Sequence, residues 1–194
     1  IELISSGEGN SNAVGEHALG LLISLSKKIT KSNIERKNGL RKREENRGFE
    51  IEGKTIGLIG YGKTGKSFAK KLSGFNCNII FCDIKTNLGD NYAREVKINE
   101  LKETSDIISL HTNLNQSSRH IIDKQFIDDC KKSFCLINTA RGECISNHDL
   151  IYGLESDKII GAGLDVLENE NKDFEGIAVD QNLDKLKKFD NVIL

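Results

Sequence analysis

Proline, methionine and tryptophan are all absent from this 194-residue sequence. Average usage of about 5% would supply roughly ten prolines. Without them no turn is pre-set by a locked φ, and glycine, asparagine and aspartate have to provide the chain reversals. Because the sequence opens on Ile1 and holds no methionine, it is expected to be a fragment of a longer product. A membrane span is missing too. The longest apolar stretch, Leu19 to Leu25, is broken by Ser24 and followed by Lys27 and Lys28, far short of the roughly 18 apolar residues a span needs. Nor does one sign of charge dominate. Lys and Arg number 28 against 29 Asp and Glu, for a formal net charge of −1, so there is no basic field for nucleic acid or an anionic membrane.

The cysteines also lack a pattern. Cys77, Cys82, Cys130, Cys135 and Cys144 are odd in number and include no C-x-x-C pair, which indicates neither a disulfide framework nor a zinc site. They lie in apolar contexts such as Asn78-Ile79-Ile80-Phe81-Cys82 that read as strand interiors, where a free thiol behaves as a small hydrophobe. A soluble protein of the reducing cytoplasm is the expectation.

What the sequence does hold is an alternation of short apolar runs and helical segments. A long helix is expected over 12–29, capped by Asn12, with Val14, Ala18, Leu21, Leu22, Leu25 and Ile29 at helical spacing. The charged, glycine-interrupted stretch 31–47 reads as a solvated helix end and linker. Beyond it, strands are expected at Thr55–Ile59, Asn78–Cys82, 106–110, Phe134–Asn138, Ile159–Leu164 and 191–194. Helices are expected between them at Lys63–Leu72, Ile98–Thr104, 123–131, Asn147–Glu155 and 183–188, the fourth opened by a capping box from Ser146 to Asp149. Apolar strands without clean alternation are buried on both faces. Their alternation with helices predicts an α/β fold with a doubly wound parallel sheet.

The first strand runs into Gly60-Tyr61-Gly62-Lys63-Thr64-Gly65-Lys66-Ser67, which satisfies two phosphate-binding patterns at once. Gly60, Gly62 and Gly65 make G-x-G-x-x-G, the dinucleotide fingerprint. Gly60 through Ser67 make G-x-x-x-x-G-K-[ST], the triphosphatase loop. Both aim backbone N–H groups and a helix N-terminus at phosphate oxygens. In the dinucleotide reading Gly60 permits the turn, Gly62 lets the backbone approach a pyrophosphate, and Gly65 lets helix and strand pack closely. That reading needs an acidic residue about twenty positions on, at the end of the second strand. Asp83 stands there, able to accept from a ribose and to repel a 2′-phosphate. In the triphosphatase reading Lys66 reaches the outer phosphates, and Ser67 and Asp83 hold magnesium. The loop alone leaves both open.

Two later strands end in polar clusters, Thr139-Ala140-Arg141-Gly142 and Asp165 with Glu168 and Glu170 after it. In an open α/β sheet ligands bind at the carboxyl ends of the strands, so these residues share an edge with the glycine loop. The sequence here resembles the D-isomer-specific 2-hydroxyacid dehydrogenases over essentially its whole length. The likeness lies in Ser11-Asn12-Ala13-Val14-Gly15-Glu16-His17, Glu52-Gly53-Lys54-Thr55-Ile56-Gly57-Leu58-Ile59-Gly60-Tyr61-Gly62 and Ser109-Leu110-His111-Thr112. It continues through Ile137-Asn138-Thr139-Ala140-Arg141-Gly142, Gly163-Leu164-Asp165-Val166 and Asn191-Val192-Ile193-Leu194.

The resemblance implies a Rossmann-type NAD-binding domain over 48–194. Residues 1–47 would be the end of a substrate domain, a connecting and dimer-forming helix, and a linker. Lys63 and Thr64 would give backbone contacts to the pyrophosphate and Asp83 would hold the ribose. Thr112, Thr139, Ala140, Arg141 and Asp165 would line the nicotinamide end. Arg141 would be catalytic, gripping the carboxylate of a small 2-hydroxy or 2-oxo acid, and Glu170 would be the glutamate that orients a catalytic histidine. The family places that histidine just past the strand matched by 191–194, and none of His17, His111, His120 or His148 takes its position. No metal is implied. The stretch from Asn46 to Ile84 looks most like the phosphoglycerate dehydrogenase branch, and a homodimer is expected. Where the family has proline after the glutamate and in the loop after Thr112, this sequence has Asn171 and Asn113-Leu114-Asn115-Gln116. An NAD-sensing, non-catalytic module of the same fold is the alternative, with the triphosphatase reading behind it.

Overall fold

The computed structural model describes residues 9–168 and 181–194. Seven parallel strands form one sheet in the order β3-β2-β1-β4-β5-β6-β7. They are β1 (Thr55–Ile59), β2 (Asn78–Cys82), β3 (Arg94–Glu95), β4 (Ile107–Leu110), β5 (Phe134–Asn138), β6 (Ile159–Leu164) and β7 (Val192–Ile193). The order reverses between β1 and β4, and that switch point is where a doubly wound sheet opens a crevice at its carboxyl edge.

Successive side chains of a strand point to opposite faces, and both faces here are covered. Ile56, Leu58, Ile79, Phe81, Ile107 and Ile137 pack with Ala18, Leu22, Phe68 and Leu72 of α1 (Ser11–Ser26) and α3 (Lys63–Leu72). Ile80, Ile108, Leu110, Phe134, Leu136 and Leu164 face the opposite layer. That layer is α4 (Ile98–Thr104), α5 (Lys124–Asp129), α6 (Asn147–Glu155) and α7 (Gln181–Leu186). Burial on both sides explains why these strands read as continuous apolar runs.

The expected single helix over 12–29 is two helices, α1 and α2 (Ile29–Lys37). Lys28 adopts φ 51°, its ammonium donates to Glu45 O at 2.8 Å, and the Ser26 carbonyl accepts from Phe49 N–H at 2.9 Å. These bonds turn the chain. Ile29 therefore leaves the apolar stripe and is 51% exposed, and part of the expected linker is helical. The N-cap is Asn10, not Asn12. Asn12 lies inside the helix, where its amide donates to Glu16 Oε1 at 3.0 Å.

Ser146 caps its helix as the sequence puts it, and Asp123, expected as the first residue of its helix, is instead that helix's N-cap. Asp123 and Ser146 accept from the N–H groups of Phe126 and Asp149 at the starts of α5 and α6. All five cysteines are free. Only Cys82 and Cys135 lie in strands, and burial pushes both thiols up to about 12, which leaves them unreactive near neutral pH.

Candidate functional site at the strand ends

The chain leaves β1 through Gly60, whose φ of +94° is a left-handed conformation that a side chain rarely adopts. A Cβ there would also lie 2.7 Å from the carbonyl oxygen of His111, just past the neighbouring strand β4. A Cβ on Gly65 would lie 2.5 Å from Gly60 O, so these two glycines are required by the protein's own packing. Gly62 differs, because nothing lies within 4 Å of its Cβ position. It is the N-cap of α3, whose first turn has no acidic residue and no side-chain cap.

The helix thus presents the N–H groups of its first turn, including Lys63, Thr64 and Gly65, together with the positive end of its dipole. The arrangement suits a pyrophosphate. Lys66 is turned elsewhere: its ammonium donates to Leu88 O at 3.3 Å and lies 3.6 Å from Asp90. The triphosphatase reading required that lysine at the outer phosphates.

Asp83 closes β2 beside the loop. Its Oδ2 accepts from Tyr61 N–H at 2.7 Å and its Oδ1 from Lys85 N–H at 2.9 Å. The fully buried Tyr61 anchors the loop from below, stacked on Phe81 with ring centroids 3.9 Å apart and donating its hydroxyl to Asp90 at 2.8 Å. Tyr61 and Asp90 are positional residues the sequence reading missed. A tyrosine between two glycines reads as loop filling, and its partner lies on a different segment.

Across the switch point, His111 follows β4 and is buried. Its Nε2 lies 2.9 Å from the Ser109 hydroxyl, and desolvation lowers its pKa to about 4. Thr112, next in the chain, is half-buried with its hydroxyl 3.5 Å from the Cys144 thiol. At the end of β5 the fully buried Asn138 builds the following turn. Its Oδ1 accepts from Ala140 N–H at 3.1 Å, its Nδ2 donates to Arg141 O at 2.9 Å, and its main-chain carbonyl accepts from Asp165 N–H at 2.9 Å.

Thr139 and Ala140 are buried in this turn and Arg141 is exposed, its Nη1 donating to Ala140 O at 2.6 Å. A Cβ on Gly142 would overlap Leu167 O, so the turn sits flush against the segment after β6. Asn138 is a third missed residue. Its signal is a polar side chain ending an otherwise apolar strand.

The Thr139 hydroxyl oxygen is buried without a hydrogen-bond partner. A buried hydroxyl left unpaired costs free energy. An orphan at the carboxyl edge of β5, in the second half of the sheet, fits a bound polar ligand such as a nicotinamide ribose. Asp165, at the end of β6, is half-exposed and its Oδ1 lies 3.1 Å from His17 Nε2. Glu168 is fully engaged, by His120 Nε2 at 2.9 Å and by the Asn147 N–H of α6 at 2.8 Å. Glu170, the expected catalytic glutamate, lies outside the described residues.

The strand-end edge therefore brings together Gly60, Gly62, Asp83, Thr112, Thr139, Ala140, Arg141 and Asp165. A separate cavity of about 670 Å³ opens at the other end of the sheet, between Leu25, Ile34, Phe49 and Ile160, and touches none of them. Among the described residues no cluster of three or more His, Cys, Asp or Glu could hold a metal ion, and no helix is long and apolar enough to cross a membrane.

Known proteins share this fold. Residues 19–194 match the D-isomer specific 2-hydroxyacid dehydrogenase NAD-binding domain. The chain is 34% identical to a hydroxypyruvate reductase of Thermotoga maritima over 193 residues, covering 100% of this chain and 61% of that protein. It is also 34% identical over 174 residues to a D-3-phosphoglycerate dehydrogenase of Methanocaldococcus jannaschii, covering 88% of this chain and 33% of the relative. A D-isomer specific 2-hydroxyacid dehydrogenase from Lactobacillus delbrueckii ssp. bulgaricus, solved in its NAD-complexed form, superposes with a TM-score of 0.83 at 28% identity. That match covers 94% of this chain and 60% of the solved one. The chain thus spans from a third to three fifths of the length of these proteins, and by fold, loop and sequence it belongs to the D-isomer-specific 2-hydroxyacid dehydrogenase family, whose NAD-binding domain it carries.

Proposed function

We propose that the whole protein transfers hydride between the CH–OH group of a small D-2-hydroxy acid and NAD, with Arg141 and Glu170 as catalytic residues. The observation that carries this is Arg141, an exposed guanidinium on a turn built by Asn138, on the same edge as the glycine loop. A planar fork there can grip a substrate carboxylate with two N–H groups and keep a further one for the reacting oxygen.

In this reading Lys63 and Thr64 give backbone N–H groups to the pyrophosphate, and Asp83 accepts from the adenosine ribose. Thr112, Thr139, Ala140 and Asp165 line the nicotinamide half. Bound NAD supplies the hydride acceptor. Glu170 orients a histidine that takes the hydroxyl proton. The chain's own histidines already have partners: His111 with Ser109, His17 with Asp165, His120 with Glu168, and His148 with Asp149 at the start of α6.

Residues 48–194 form the cofactor unit and 1–47 the end of a substrate lobe, a connecting helix and a linker. A cytoplasmic homodimer through that first region is part of the proposal. It is supported by the exposed Ile29, Ile34 and Leu40. Three-phosphoglycerate is the substrate proposed on the stretch from Asn46 to Ile84, and the phosphoglycerate relative is consistent with it.

The intact Arg141 favours an enzyme over a non-catalytic NAD-sensing module, which has no carboxylate to grip. Steady-state kinetics of the full-length protein decide between them. Arg141→Lys is expected to lower kcat/KM for a 2-oxo acid by about a hundredfold or more, as for loss of a donor aimed at a reacting oxygen. Undiminished turnover in that variant overturns the assignment. A wild-type protein that binds NADH but reduces no 2-oxo acid is the non-catalytic module.

A further inference from the structure

Asp165 draws its side-chain partner from outside the sheet. Among the described residues that partner is His17, in the second turn of α1, with Nε2 3.1 Å from Oδ1. The two side chains are 53% and 46% exposed. A contact so open to solvent adds little to folding stability, so stability is a poor explanation for it.

The placement of His17 is nevertheless rigid, because α1 is held in register from two sides. Towards α3, a Cβ on Gly15 would lie 2.6 Å from the Ser67 hydroxyl. Lys71 of α3 also reaches both Asn12 and Glu16 of α1, at 2.5 and 3.5 Å. Towards the sheet, Leu21 and Leu25 of α1 press on Gly163 of β6, whose Cβ position is 3.0 Å from Leu21 Cβ and 3.2 Å from Leu25 Cδ1. His17 thus reaches Asp165 from a fixed helix rather than from a loop.

A dinucleotide lies across the switch point with one nucleotide on each half of the sheet. Asp83 and the glycine loop occupy the β1–β2 half, so the end of β6 belongs to the nicotinamide half. A nicotinamide carboxamide presents an NH₂ donor, and a carboxylate is its natural acceptor. From these observations we propose that His17 is a positioning residue for the nicotinamide. By donating Nε2–H to one oxygen of Asp165 it fixes the carboxylate rotamer and leaves the other oxygen free to accept from the carboxamide. The inference rests on the cofactor orientation described under the proposed function. It adds a residue of α1, outside the strand-end turns, to the determinants of cofactor geometry.

Titration of this chain with NADH and, separately, with ADP-ribose tests it, since ADP-ribose keeps the pyrophosphate and adenosine but lacks nicotinamide. His17→Ala is expected to weaken NADH about five- to tenfold, the scale of one lost orienting hydrogen bond, and to leave ADP-ribose binding unchanged. His17→Gln, which returns an N–H donor at similar reach, is expected to recover most of the loss. In an Asp165→Asn background the His17→Ala effect is expected to disappear. Unchanged NADH affinity in His17→Ala overturns the proposal while leaving the cofactor orientation intact. Equal losses for NADH and ADP-ribose also overturn it, because they mark a structural role. A wild-type chain that binds ADP-ribose and NADH equally well overturns the orientation itself, and this inference with it.

Discussion

Burial keeps the His111 imidazole neutral, with its pKa lowered to about 4 from an ordinary 6.5. The Ser109 hydroxyl lies beside Nε2 and Phe68 tilts against the ring with centroids 5.3 Å apart. Between those two pH values the unfolded chain binds a proton that the folded chain refuses, so stability is full above about 6.5 and falls as pH drops towards 4. Two units of that window correspond to roughly 2–3 kcal/mol. Urea unfolding at pH 7 and pH 4.5 measures it. His111→Asn is expected to lose stability at pH 7 yet show a pH dependence smaller than wild type by about that amount. An unchanged pH dependence means the ring is protonated in place. The same buried position explains why His111 is no candidate proton acceptor for a substrate, although it stands on the cofactor edge.

The glycine loop and its helix separate folding from binding by position. Gly65 meets Gly60 O and Gly62 meets nothing. Gly65→Ala is therefore expected to destabilise the chain by about 1–3 kcal/mol, the cost of overpacking against backbone. Gly62→Ala has an ordinary extended backbone to occupy and should cost less than about 1 kcal/mol at an N-cap, while a methyl in the pyrophosphate path cuts NADH affinity at least tenfold. Thermal melts and NADH titrations of the two variants check both halves; comparable melting losses would show that the space at Gly62 is not kept for a ligand.

Elements with one dominant signal were legible in the sequence. The apolar runs of β1, β2, β5 and β6 have the observed bounds, as do α3, α4 and α6. β3 was not legible, because Arg94 and Glu95 join the sheet only through backbone pairing with Ile80 and Phe81. Nor was the break after α1, where a lysine without a neighbouring glycine takes the left-handed conformation. At the site, the loop, Asp83 and Arg141 are consecutive or motif-bound and could be read directly. The roles of Tyr61, Asn138 and His17 depend on partners brought together only by folding.

For the molecule as a whole, protection against hydrogen exchange should follow burial. The interior strands β1, β4 and β5 lie between two apolar layers, whereas α2 buries no residue. Amides of α2 are expected to exchange by local opening, orders of magnitude before those of β4 and β5, which require global unfolding. Uniform protection across both would mean that α2 is covered by something in solution, as a dimer through that region would do.

The sheet divides the apolar interior into two clusters with no buried side chain in common. Tyr61 and Phe81, beneath the glycine loop and Asp83, belong to one. Ala140, Cys144 and Leu167, beneath the arginine turn, belong to the other. Each strand nevertheless feeds both: Ile59, just before Gly60, belongs with the cluster under the arginine turn, and Ile137, just before Asn138, with the cluster under the glycine loop. A change beneath α5 and α6 is therefore transmitted through the pleat of β1 and β5 to both ends of the ligand edge, so the loop and the arginine turn respond to core repacking as one mechanical unit.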